Sequence, residues 1–120
     1  MAAKKKINVY RGVLNTIGAT TATFDIALTT DAVVGLKSII ILHDTSSTNE
    51  AGGYSEIQGW ATNNSGVASV TTASPISSLD ATLAAATVVY SISTTNLRLT
   101  VTGVAAITID WQYDITIYEN

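Results

Sequence analysis

Hydrophobic and polar residues alternate with period two along most of this chain, and the C-terminal stretch carries the pattern furthest. Ile107, Ile109, Trp111, Tyr113, Ile115 and Ile117 alternate with Thr108, Asp110, Gln112, Asp114, Thr116 and Tyr118. A helix would scatter those apolar residues around its circumference. A strand gathers them on one face, so the pattern predicts a long strand with one buried and one polar side. Upstream, Val88, Tyr90 and Ile92 form one apolar set and Leu97, Leu99 and Val101 the next. Ser93-Thr94-Thr95-Asn96 between them reads as a hairpin turn. With Gly103 to Ala106 as a further turn, three consecutive antiparallel strands are expected to close the domain.

The same period marks the earlier segments. Tyr54 to Thr62 predicts a strand with Ile57 and Ala61 on one face and Glu56, Gln58 and Trp60 on the other. Asn63-Asn64-Ser65-Gly66 is a turn signal, and Val67 to Thr72 return as a shorter strand. Ile39-Ile40-Ile41-Leu42 is apolar on both faces, which predicts a strand that is central or covered on both sides. Phe24, Ile26 and Leu28 alternate with Thr23, Asp25 and Ala27 in another strand, and Ile7 to Arg11 read as a short edge strand. His43 to Gly53 reads as a long polar loop. Ser77 to Ala86 fits either one helical turn, with Ser78 as N-cap and Leu79 and Leu83 as an apolar pair, or a loop leading into the next strand. About eight strands with regularly spaced turns argue an all-β, antiparallel β-sandwich of jelly-roll-like type. The expected division is an N-terminal arm over residues 1–18 and a sandwich over residues 19–120.

Composition narrows the function classes. The 120 residues suffice for one domain with a real core. There is no cysteine, which excludes disulfides, thiol nucleophiles and cysteine metal sites. Nine acids face six bases, for a net charge of -3, and Lys4-Lys5-Lys6 hold half of the positive charge. The remaining body is acidic and unsuited to nucleic acid, so no nucleic-acid partner is expected. Mean hydropathy is +0.32, yet no apolar run is long enough to span a bilayer as a helix, and no membrane partner is expected. Ile7-Asn8-Val9-Tyr10-Arg11 after the basic start gives no apolar signal core. Only 12% of residues are charged, and the polar surface is rich in Thr and Ser. About a quarter charged is usual for a soluble domain, so this surface suits packing against copies or neighbours.

Candidate chemistry is sparse. His43, Asp44 and Ser46 are the residue types of a hydrolase triad, but neighbours in one segment do not converge as a triad requires, and a solvated His in a polar loop explains them. Asp110 and Asp114 share a strand face about 13 Å apart, too far to share one proton or one metal, although Glu56 or a loop carbonyl would be needed to complete any calcium site. Among the aromatics, alternation places Trp111, Tyr90 and Tyr113 in the core. Tyr54, Trp60 and Tyr118 are left as candidates for exposure, with Tyr54 and Trp60 as possible ligand-facing residues. No catalytic, metal or cofactor site is expected, and the chain is read as a non-enzyme.

From Tyr54 onward the chain resembles a recurring type of small phage virion domain. The resemblance rests on Tyr54-Ser55-Glu56-Ile57-Gln58-Gly59-Trp60, the Asn63-Asn64-Ser65-Gly66 turn and Asp80-Ala81-Thr82-Leu83. It continues through Thr95-Asn96-Leu97-Arg98-Leu99-Thr100-Val101-Thr102-Gly103 and Ile109-Asp110-Trp111 to Ile115, covering roughly residues 36–118. It implies a β-sandwich module on a phage head, neck or tail fibre, often trimeric, with no catalytic residues to carry over. Because the module is nearly the whole chain, the first expectation is a capsid decoration (cement) protein that stabilises the head as a homotrimer, bound to the major capsid protein or another virion protein. The alternative is a head- or tail-fibre module that binds a host glycan or receptor. The expected contact is the N-terminal segment, through Lys4, Lys5, Lys6, Ile7, Val9, Tyr10, Arg11, Val13 and Leu14.

Overall fold

The alternation of the last strand decides how the rest is layered. In the computed structural model, which describes residues 6–46 and 50–120, β9 (Thr108–Glu119) turns Ile109, Trp111, Tyr113, Ile115 and Ile117 inward, and all five are buried. Antiparallel partners flank β9 on both sides: β1 (Lys6–Ile17) in register from Lys6 opposite Glu119 to Ile17 opposite Thr108, and β3 (Val33–Asp44) from Val34 opposite Glu119 to Asp44 opposite Ile109. Next to β3 lies β4 (Gly52–Asn64). The far edge of β4 carries β5 (Val67–Thr72) against Gly59–Asn64 and β6 (Ile76–Leu79) against Gly53–Glu56. A smaller sheet packs over this one in the order β2 (Thr21–Ala27), β8 (Asn96–Thr102), β7 (Thr87–Ser93). The result is an all-β antiparallel sandwich with nine strands among the described residues. Pairing β1 with β9 and β2 with β8 nests the chain ends as a jelly roll does; β7 departs from that scheme by pairing, among the described residues, only with its sequence neighbour β8.

The core fills the space between the sheets. Ile40, Leu42, Ile57 and Ala61 from the larger sheet meet Leu97, Leu99, Val101 and Tyr90 from the smaller one. Polar atoms inside are paired. The Trp111 indole Nε1–H donates to Thr16 Oγ1 at 2.9 Å, and the Tyr90 hydroxyl donates to Ser38 Oγ at 2.6 Å. Both bonds join strands distant in sequence, so they fix register as well as satisfy buried donors. Along one side of the sandwich, Phe24 stacks on Tyr113 at 4.8 Å and meets the edge of Tyr10 at 5.9 Å. Gly12 makes room for that group, because a Cβ there would overlap the Tyr113 ring. The β4–β5 turn has positive φ at Ser65 and Gly66, the geometry of a type I′ hairpin.

Three expectations change. The segment 1–18 does not stand apart as an arm over its described part: Lys6–Ile17 is a full edge strand of the larger sheet, because its inward residues Tyr10, Gly12, Leu14 and Thr16 belong to the packing. Residues 1–5 lie outside the described residues. The last three strands do not form a simple meander, since the chain leaves the smaller sheet after β8 and enters the larger one at β9. The segment Ser77 to Ala86 is divided: its start belongs to Ile76–Leu79, which pairs with β4, and the helical turn is a short 3-10 turn at Ala81–Leu83. Its cap is Asp80, whose Oδ1 accepts from the Thr82 N–H, and not Ser78. As its apolar run predicts, β3 is central in its sheet; on its outer face Ile39 is partly buried and Ile41 exposed.

Trp111→Ala should cost about 3–5 kcal/mol in denaturant unfolding, as for other large-to-small aromatic core changes. Thr16→Val should cost about 1–3 kcal/mol, because the indole N–H would be left buried without an acceptor. Burial raises the Tyr90 hydroxyl far above the ordinary tyrosine range, against the opposing effect of its bond to Ser38. A raised folded-state pKa contributes stability in full below the unfolded value of about 10 and loses it as pH rises from there. Alkaline unfolding should therefore be shallower in Tyr90→Phe than in the parent chain.

Candidate binding surface

Period two leaves the outer face of the larger sheet open to solvent, and the register assembles that face into rows. One row runs Ile7, Tyr118, Gly35, Trp60 and Thr71 across β1, β9, β3, β4 and β5. The next but one runs Arg11, Asp114, Ile39, Glu56 and Ile76. Among the described residues, every large exposed apolar side chain except Val89 of β7 lies on this face. Exposed apolar groups concentrated on one side of a sheet mark a contact surface more often than scattered ones do.

A shallow concavity lies on the same face. A groove of about 620 Å³ is lined by Lys37, Gln58, Trp60, Thr71 and Tyr118, with the backbone of β3 and β4 beneath. Trp60 and Tyr118 are each about half exposed. They sit on opposite sides of Gly35 in the register, two strand spacings or about 10 Å apart. Gly35 has no side chain to stand between them, and the Tyr118 ring lies within ordinary contact of the position a Cβ would take. Along β4, the Tyr54 hydroxyl donates to Glu56 Oε2 at 3.0 Å, and Gln58 Nε2 donates to the other carboxylate oxygen at 3.4 Å. The bond to Glu56 holds the Tyr54 phenol above its ordinary pKa. The arrangement sets two aromatic rings either side of Gly35, with the Gln58 amide and the Lys37 ammonium in the adjacent row and the Thr71 hydroxyl beyond Trp60.

The structure places the expected residues as follows. Trp60 is exposed in the groove, whereas Tyr54 is half-buried and committed to Glu56. Lys6, Ile7, Val9, Arg11 and Val13 are exposed on β1. Tyr10 and Leu14 point the other way and pack on the chain's own core, so an outward contact through them is corrected by the strand's alternation. Lys4 and Lys5 lie outside the described residues. His43 bonds to Glu50 at 2.7 Å, while Asp44 is buried and accepts from Ser46 N–H and Oγ–H. The three triad-type residues do not converge. Asp114 is paired with Arg11 at 3.1 Å and Asp110 accepts from Asn15 at 2.8 Å. Among the described residues, no group of three acids or histidines is placed to hold a metal. Gly35 and Lys37 were not singled out from the sequence; a glycine inside a strand pattern is the signal that marks such a place.

No protein-family model matches the chain, and no curated protein is similar to it. Solved structures are similar in fold. The tailspike protein of Acinetobacter baumannii phage AM24 superposes with a TM-score of 0.53 at 9% identity, over 96% of this chain and 26% of that one. The tailspike protein gp49 of Acinetobacter baumannii bacteriophage Fri1, described as a capsular polysaccharide depolymerase, gives a TM-score of 0.44 at 14% identity, over 92% of this chain and 17% of that one. This chain thus spans about a quarter or less of these tailspikes, and the AM24 likeness is one of fold.

His43→Ala should change unfolding stability by no more than about 0.5 kcal/mol, because both members of the His43–Glu50 pair are exposed. Thermal unfolding of the variant beside the parent chain checks this.

Proposed function

We propose that the chain is a structural module of a phage tailspike or tail fibre, carried on the virion, and that the Trp60–Tyr118 groove binds a glycan of the host surface. The observation that carries this reading is the pair of half-exposed aromatic rings on either side of Gly35. Aromatic faces stack on the apolar faces of sugar rings, and Gln58, Lys37 and Thr71 offer donors and acceptors for hydroxyl groups. The sandwich fold, similar to part of a tailspike chain, supports the same setting. It favours a spike or fibre over the capsid decoration role expected first, for which a lattice-binding surface would have to be found. The reading is one of binding without turnover: Glu56 is engaged by Tyr54 and Gln58, and Asp114 by Arg11.

The test is binding to an array of bacterial surface oligosaccharides, followed by calorimetry on any glycan retained. Trp60→Ala should weaken that binding at least tenfold while the far-ultraviolet circular dichroism and melting temperature stay near those of the parent. Retention of no glycan, or equal affinity in the variant, would remove the groove from the account.

A further inference from the structure

The row beside that of Trp60 and Tyr118 runs Val9, Thr116, Lys37 and Gln58 across β1, β9, β3 and β4. Lys37 is exposed and lines the groove. It stands two residues from Gly35 on β3, about 7 Å at strand rise. Arg11 is bonded to Asp114 and Arg98 to Asp25, whereas among the described residues Lys37 has no hydrogen-bond or ion-pair partner. The carboxylates nearest to it in the register are Glu56 and Asp114, both opposite Ile39 and so on the side of Lys37 away from the rings. Each is engaged elsewhere: Glu56 accepts from Tyr54 and Gln58, and Asp114 accepts from Arg11. The groove therefore sets one uncompensated cation beside two aromatic rings, on a chain whose net charge is -3.

We infer that the groove selects a sugar bearing a carboxylate, its ring stacked on Trp60 or Tyr118 and its carboxylate on the Lys37 ammonium. This rests on the glycan reading of the groove and names the class of sugar. An ammonium has three donors and no acceptor, and its bond to an anion is roughly twice as strong as a bond between neutral groups. Gln58, opposite Lys37 in the register, adds a second donor, because its amide has two N–H bonds and Glu56 takes only one of them. One ammonium and one amide match a single negative charge. A phosphate monoester carries nearly two charges and is held where several cations or an arginine fork converge, and Lys37 is the only cation lining this groove. A carboxylate on a pyranose ring is found in hexuronic acids and in nonulosonic acids, and both present the same group to the lysine.

The test measures binding of the full chain to three sets of oligosaccharides: one containing a hexuronic acid, one containing a nonulosonic acid and one bearing a phosphate monoester. Each acidic sugar of the first two sets is paired with its counterpart reduced at the carboxyl to a primary alcohol. At least one carboxylate sugar should bind about tenfold tighter than its reduced form, the difference a hydrogen bond to a charged group supplies. The set that shows the difference identifies the source of the carboxylate. Lys37→Gln should collapse the ratio between the two forms to near one, and Lys37→Arg should keep it. Added sodium chloride should weaken the acidic form in the parent chain and much less so in Lys37→Gln. Trp60→Ala should weaken both forms together. If acidic and reduced forms bind the parent alike and Trp60→Ala weakens both, the groove stands as a glycan site and the selection of a carboxylate is overturned. The selection is also overturned if Lys37→Gln keeps the ratio or if the phosphate sugars bind tightest. Retention of no sugar from any set removes this inference together with the reading it rests on.

Discussion

Strand β9 is hydrogen-bonded along both edges, to β1 and to β3, while its inner face supplies the largest buried side chain, Trp111. Two constraints therefore meet in twelve residues. The ladder on each side admits only certain registers, and the alternation of Ile109, Trp111, Tyr113, Ile115 and Ile117 admits only one orientation of the face. A slip by one residue would turn all five outward and bring five polar or charged residues into the core, at a cost no other contact could offset. The bond from Trp111 to Thr16 ties β1 to the same register from within. Once β9 is set, β1 and β3 follow, and β4 and its neighbours are built on β3.

The outer face is the consequence of that inner commitment. With both ladders fixed, the residues between the core positions are brought into rows that no local sequence pattern specifies. Opposite charges fall beside one another: Arg11 with Asp114 on the larger sheet, and Arg98 with Asp25 on the smaller, where two bonds of 2.8 and 2.9 Å hold the pair and the Asp25 carboxyl is kept below its ordinary range by Arg98. These pairs are exposed and screened, and they contribute little to stability. On the larger sheet the Arg11–Asp114 pair offsets two charges on a face that sets Ile7, Val9, Trp60 and Tyr118 among polar residues such as Lys37, Gln58 and Thr71.

How much of this was legible in the sequence depended on whether a feature lives within one strand or between strands. The core positions of β9, the burial of Tyr90 and Tyr113, the hairpin at Ser93–Asn96 and the exposure of Trp60 all follow from period two and turn chemistry alone. The move of the chain from one sheet to the other after Gly103 does not, because a turn has the same composition whether it keeps or changes sheet. Ile7 to Arg11 were legible as an edge strand, but its continuation to Ile17 was not, for a related reason: Gly12 and Thr16 break the apolar pattern of the inner face, yet one makes space for Tyr113 and the other receives the Trp111 N–H. Their fitness is visible only from the partner strand. Likewise the groove beside Trp60 needed the register that sets Gly35 between β4 and β9.

The claim on which the account rests is that β9 is the strand that fixes both faces, and amide hydrogen exchange followed by NMR tests it most directly. The amides of β9 bonded to β1 and β3 should exchange only through global unfolding and be the slowest in the chain, whereas those of β1 that face its open edge should exchange far faster. If the β9 amides exchange as readily as those of the short outer strands β5 and β6, the register of the larger sheet is not set by β9 and the account fails.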